Sequence, residues 1–234
     1  MAIQPFLAMT AAEMRNSRQF PAGICWMACH FSPYGLGLSN MPARLPPRTL
    51  LMVDDITPIR GHRPDIIATQ LAQAVTELDC AGVLLDFQRP DCAEASVLAA
   101  ALVTALPCPV AVSDVYAGEL DCPVFLNAPP CNEPLEGWFS PWEGREIWLE
   151  LSKSPAQLTV DGSGSYIEPI PLSPEGTGFA DQDLLCHYRT EIQEDSAFFT
   201  LWRTREDLAQ LLELAEGFGV TRAVGLYQEF QMWI

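Results

Sequence analysis

In DIIATQLAQAVTELDCAGVLLDFQ, residues 65–88, an amphipathic helix runs straight into a buried strand. Ile67, Leu71, Ala74, Val75 and Leu78 fall at i, i+4, i+7, i+8 and i+11, which is one helical face. AGVLLDFQ (81–88) is then an apolar run that ends in Asp86, Phe87 and Gln88. Upstream, TLLMVDD (49–55) is a buried-type strand closing on two acids. Downstream, DCAEASVLAAALVTAL (91–106) reads as a helix, with Asp91 as N-cap and Glu94 three residues on as its capping-box partner. PVAVSD (109–114) is the next strand. Strand, helix, strand, helix, strand make two successive βαβ units, which require right-handed crossovers and a parallel sheet.

Outside this block, strands are expected at 22–30, 122–127, 146–151, 197–202 and 222–227. Asp161-Gly162 sits between alternating apolar and polar residues and predicts a hairpin. FADQDLLCHYRTEI (179–192) is expected to be helical. Thr204 and Asp207 cap a helix whose Leu208, Leu211, Leu212 and Ala215 form an apolar face. With 49–54, 81–87 and 109–113 this gives eight principal strands, and no helix after the eighth. Eight strands with several βα units in 234 residues predict an irregular (β/α)8 TIM-type barrel, some helices being replaced by loops. The alternative is an open doubly wound sheet, against which stands the lack of a Gly-rich phosphate turn after the first strand. No repeat or linker interrupts the chain, so residues 1–234 are expected to form a single barrel domain.

Thirty acids against thirteen bases leave a net charge of −17, and Lys153 is the single lysine. Such a surface repels phosphate backbones and anionic membranes, so neither nucleic acid nor membrane is an expected partner. No stretch approaches 18 consecutive apolar residues. The N-terminus lacks a basic segment followed by an apolar core, which predicts a cytoplasmic protein unless a leader has been removed. The eight cysteines are accordingly read as reduced thiols. In CWMACH, strand alternation sets Cys25 and Cys29 on one face and His30 on the other, and no pair has zinc spacing, so no metal and no cofactor are expected.

In a parallel barrel the chemistry gathers at the C-terminal ends of the strands. Those ends carry His30, Asp54, Asp55, Asp86, Gln88, Asp114, Tyr116, Asn127, Glu150, Trp202, Arg203, Tyr227 and Glu229. Carboxylates and amides hydrogen-bond hydroxyls, and aromatic faces stack on sugar rings, so a carbohydrate or other small polar ligand fits this set. Asp86, Gln88, Asp54, Asp114, Glu150 and Glu229 are the candidates for chemistry. His30, Asp55, Tyr116, Asn127, Trp202 and Tyr227 are the candidates for holding substrate. Asp54-Asp55 can equally form an Asx-turn ahead of Thr57-Pro58.

AGVLLDFQRP (81–90) resembles the fourth-strand signature of family-18 glycoside hydrolases, the chitinases and their relatives, which runs D-G-x-D-x-D-x-E. Gly82 matches the glycine, Asp86 the third Asp, Phe87 the usual aromatic and Pro90 a following proline. The resemblance implies a barrel with its site at this strand end, Asp86 orienting the substrate. It covers about 25 residues, and its departures bear on activity. Ala81 and Leu84 replace two acids, and Gln88 stands where the family has its proton-donating Glu. An amide gives up no proton at useful pH, and general acid catalysis contributes about 10²–10⁴-fold. The resemblance therefore implies a glycan-binding or vestigial hydrolase, unless another carboxyl supplies the proton. The alternatives are a small-molecule enzyme built on His30 and the strand-end acids, or a non-catalytic interaction domain. The stretch falls on the third strand of the count above, whereas the family carries it on the fourth. A strand is therefore missing from the count, with 31–48 the candidate segment, unless the likeness is accidental.

Overall fold

The computed structural model describes residues 2–17, 23–171 and 178–230. Ala22, the first residue of the strand expected at 22–30, lies outside them. The chain forms two compact units, one made of Ala2–Asn127, Arg145–Glu150 and the residues from Val220 onward, the other of Ala128–Gly144 and Leu151–Gly219.

The first unit is a closed barrel of eight parallel strands. In chain order its elements are β1 (Gln4–Met9), α1 (Ala11–Asn16), β2 (Gly23–Phe31), the two-residue β3 (Leu38–Ser39), β4 (Leu50–Asp54), α2 (Pro64–Glu77), β5 (Gly82–Asp86), α3 (Ala93–Ala105), β6 (Val110–Ser113), α4 (Asp114–Ala117), β7 (Val124–Leu126) and β8 (Ile147–Leu151). The second unit supplies α5 (Leu135–Phe139), the strands β9 (Ala156–Asp161), β10 (Gly164–Pro169), β11 (Phe179–Asp181), β12 (Cys186–Gln193) and β13 (Ser196–Trp202), and α6 (Arg205–Gly217). The chain then ends the barrel with β14 (Val220–Leu226) and α7 (Tyr227–Phe230). Around the ring the order is β1, β14, β8, β7, β6, β5, β4, β2, and the β2–β1 pairing closes it. β3 pairs antiparallel on β2 outside the ring.

Closure dictates the core. Every one of the eight strands sends alternate residues inward, among them Phe6 and Ala8, Cys25, Leu50 and Met52, Leu84, Ala111, Phe125, Trp148 and Val224. The outward residues of the inner strands are also covered, which is why β4 is buried at all five positions and reads as an unbroken apolar run. At the N-terminal end of the ring, the Arg222 guanidinium lies 4.1 Å from the Trp148 ring centroid and 5.8 Å from that of Phe6. Glu146 accepts there from Trp148 Nε1 at 2.9 Å and from Thr221 Oγ1 at 2.7 Å.

The strand missing from the sequence count is β1, not a strand within 31–48. With it, β5 is the fourth strand of the barrel, and the resemblance of 81–90 falls on the strand where the family carries its signature. The predicted strand 197–202 is β13, a member of the five-stranded antiparallel sheet β10-β9-β13-β12-β11, so it does not contribute to the ring. The helix expected at 179–192 is instead β11, a turn and β12. Asp181 Oδ1 accepts from the backbone of Asp183 and Leu184, both at 3.0 Å, and Leu185 takes φ 46°, which together interrupt any helix. Seven paired positions with β13 then hold β12 extended. Asp91 is not the N-cap of α3. Its φ of 58° is left-handed, and Cys92 caps the helix without a side-chain bond. A four-residue helix, α7, does follow the last strand. The Thr204–Asp207 capping box and the hairpin at Gly162-Ser163 are present as expected.

Gly82 illustrates how tightly the barrel floor is filled. A Cβ there would lie 2.8 Å from the Pro109 carbonyl oxygen, 3.0 Å from Trp148 Cη2 and 3.2 Å from Arg222 Nη1. Gly82→Ala is expected to destabilise the protein by about 1–3 kcal/mol through overpacking, read as a lower urea midpoint. An unchanged midpoint would show that the floor has slack.

Candidate functional site

One extra residue in β2 arranges the mouth of the barrel. β2 and β4 pair regularly as Cys25↔Leu50 and Trp26↔Leu51, then resume as Cys29↔Val53 and His30↔Asp54. Residues 27 and 28 therefore stand opposite Met52 alone, a β-bulge. Strict alternation would put Cys29 on the face of Cys25 and His30 on the other. The bulge reverses this: Cys25 belongs to the barrel interior, and His30 takes the level of Asp54. Burial pushes the Cys25 thiol up and the Cys29 thiol up to about 12, so both stay protonated and inert.

Asp54 is in turn level with Asp86 on β5. His30, Asp54 and Asp86 thus form one row across three neighbouring strands, continuing the inward positions of Met52 and Leu84. His30 Nδ1 lies 2.7 Å from Asp54 Oδ2 and 2.9 Å from Oδ1. Asp54 Oδ1 also accepts from the Ile56 backbone at 3.1 Å, so the Asx-turn and the histidine contact coexist.

Asp86 and Gln88 do converge, as strand alternation requires. Gln88 Nε2 donates to Asp86 Oδ1 at 2.6 Å and to Asn127 Oδ1 at 3.0 Å, and Asn127 Nδ2 returns a bond to Gln88 Oε1 at 3.0 Å. The two amides are locked face to face, and Gln88 is fixed with its NH2 toward Asp86. Asp55 holds the backbone that follows, accepting from Gln88 N at 3.1 Å and Arg89 N at 2.9 Å. Burial pushes the Asp86 carboxyl above its ordinary value, the Gln88 bond opposes this, and the like charges of Asp54, Asp55 and Asp114 add to the rise. Burial raises Asp114 as well, although its Oδ1 accepts from Val115 N at 2.9 Å.

The remaining candidates have varied surroundings. Tyr116 donates its hydroxyl to the Arg89 carbonyl and accepts from Cys92 N, at 3.2 Å in the latter bond, so it buttresses the loop after β5. Glu150 follows Trp148 on the inward side of β8. Tyr227 accepts a bond from Ser17 Oγ at 2.9 Å and, with Glu229, sits in α7 after β14. Trp202 ends β13 in the antiparallel sheet and is not at a barrel strand end. Arg203 is buried and donates to the carbonyls of Pro129, Pro130, Leu184 and Leu185, which is a structural clamp. Sequence reading passed over Ser113, whose hydroxyl donates to the Phe87 carbonyl at 2.6 Å and fixes the turn that presents Gln88. Its position at the end of an apolar strand was the available signal. No group of three or more metal-ligating side chains occurs among the described residues.

The barrel matches solved structures. The spore cortex-lytic enzyme SleL of Bacillus megaterium QM B1551 superposes with a TM-score of 0.59 over 99% of this chain and 73% of that one, at 9% identity. SleL of Bacillus cereus gives 0.52 over 96% and 70%, also at 9% identity. The chitinase-like agglutinin RobpsCRA of Robinia pseudoacacia gives 0.58 over 94% and 93%, at 12% identity. No protein-family model and no curated protein matches the sequence. At these identities the likeness shows the fold alone, a (β/α)8 barrel, which is the fold the 81–90 resemblance implied.

The raised Asp86 carboxyl has a thermodynamic consequence. A folded-state value above the unfolded one means that the native protein binds more protons, so stability falls as pH rises through that interval. Asp86→Asn is expected to raise the denaturation midpoint near neutrality. The gain should shrink as pH falls through that interval and vanish below the ordinary carboxylate value. A variant less stable than wild type at neutral pH would overturn this account of the site.

Proposed function

We propose that this protein binds a glycan at the C-terminal mouth of its barrel, with Asp86, Gln88 and Asn127 as the central hydrogen-bonding set. The observation that carries the reading is the Asp86–Gln88–Asn127 lock, which ties the end of the fourth barrel strand, β5, to the residue after β7. It keeps an acid and two amides fixed where a chitinase-like barrel holds its reacting groups. Preformed polar groups of this kind bind hydroxyls and amides without an ordering penalty. The neighbours in fold include an enzyme described as cortex-lytic and a protein described as an agglutinin, and a glycan ligand suits both. Gln88 removes the family's proton donor, so binding rather than rapid hydrolysis is the expected activity. Asp55 and Tyr116 support the loop, and Asp114, Glu150 and Glu229 are the further carboxyls at or after the ends of barrel strands. Among the described residues no helix is long and apolar enough to cross a membrane. We place the protein in the cytoplasm, where its eight free thiols are at home. We also take the chain as one domain, for which a single cooperative calorimetric transition is the expected sign.

Isothermal calorimetry against an oligosaccharide panel, including N-acetylglucosamine oligomers, tests the reading. Saturable binding by wild type should fall at least about tenfold in Asp86→Ala, the loss of about one charge-assisted hydrogen bond. Gln88→Glu should gain or raise hydrolysis, measured as reducing ends released. Absence of binding across the panel would remove the glycan reading.

A further inference from the structure

The bulge in β2 delivers an imidazole to the mouth, and neither the lock at Gln88 nor the ligand reading makes use of it. His30 Nδ1 is committed to the Asp54 carboxylate, which fixes the ring and its tautomer. Nε2 has no hydrogen-bond partner among the described residues, and the side chain keeps 29% of its surface exposed. Asp54 is itself 10% exposed and anchored by the Ile56 backbone, so it cannot swing away from the ring. Asp86, two strands round from His30 on the same level, lies about 10 Å away by backbone spacing. Its Oδ1 accepts from Gln88, and Oδ2 has no partner among the described residues. The register thus sets an oriented imidazole and an oriented carboxylate on one inward row, two strands apart, at the mouth of the barrel.

We propose that His30, positioned by Asp54, is the proton donor and acceptor of this mouth, and that a glycosidic bond held against Asp86 is hydrolysed slowly through it. The proposal rests on the glycan reading above. Protonated His30 gives its Nε2 proton to the glycosidic oxygen as the bond from that oxygen to the anomeric carbon breaks. The electron pair of the bond leaves with the oxygen. The Asp86 carboxylate faces the positive charge that develops at the anomeric carbon. Water then adds to that carbon, and its surplus proton returns to Nε2. One water is consumed, one alcohol and one new reducing end are released, and no redox partner is needed. His30 is the catalytic residue of this scheme and Asp54 is a positioning residue.

The leaving group distinguishes a proton donor from a residue that only binds or supports. A nitrophenyl glycoside departs with little protonation, whereas a sugar alcohol needs the proton. Wild type, His30→Gln and Asp54→Asn are compared on N-acetylglucosamine oligomers and on the nitrophenyl glycoside of the same sugar, with calorimetric binding measured in parallel. His30→Gln is expected to lose about 100-fold or more in kcat on the oligomers, to lose far less on the nitrophenyl glycoside, and to bind the oligomers as wild type does. Asp54→Asn should show the same leaving-group pattern with a smaller loss, and serves alone if His30→Gln fails to fold. Wild-type binding without turnover of either substrate overturns the proposal and leaves the glycan reading standing. Equal losses on both substrates, or lost binding in His30→Gln, overturn it as well. Absence of both binding and turnover in wild type removes the glycan reading and this proposal together.

Discussion

The one residue that β2 carries in excess of β4 sets what reaches the mouth of the barrel. In a parallel sheet a single-residue shift exchanges the two faces of a strand. Without the bulge between Trp26 and Cys29, a thiol would stand beside Asp54 and the imidazole would face outward. With it, His30, Asp54 and Asp86 share a level. The lower half of β2 still sends Cys25 into the barrel core. A bulge lets one strand serve two registers, one for packing and one for chemistry.

The two ends of the ring divide the work of the fold. Trp148, Phe6 and Arg222 fill one end against Gly82, with Glu146 and Thr221 satisfying the polar atoms. The other end gathers Asp54, Asp55, Asp86 and Asp114, where burial first, and the neighbouring charges after it, disfavour ionisation of Asp86. Barrels commonly separate stability from function in this way. Here β5 and the two residues after it join both ends, from Gly82 in the floor to Gln88 at the mouth.

The central part of the barrel was legible because α2 and β4 to β6 obey local rules. Their periodicities differ, and each is long enough to show. β1 escaped because six residues containing Pro5 at the start of a chain carry little pattern, and closure with β2 and β14 gives them their role. In β12 and the turn before it, Leu184, Leu185, Tyr188 and Ile192 suit a helix locally, whereas the pairing of β12 with β13 decides the outcome. Asp86, Gln88 and Asn127 were legible as strand-end residues, since strand ends point to the mouth whatever the details. The inward turn of His30 was not, because a bulge has no local signature in CWMACH. Nothing local separates Trp202 from a barrel strand end, because β13 has the length and composition of a barrel strand.

The clamp at Arg203 bears on the order in which the protein takes shape. Its guanidinium joins the carbonyls of Pro129 and Pro130 to those of Leu184 and Leu185. The segment from Ala128 to Gly144 and the one after Leu151 are separated in sequence by β8 of the barrel. On a chain emerging from a ribosome, the earlier segment must wait, unsealed, until residue 203 has been made. The stretch around Cys131 is thus a late-closing seam, whose Pro129 and Pro130 carbonyls gain their buried donor only when Arg203 arrives.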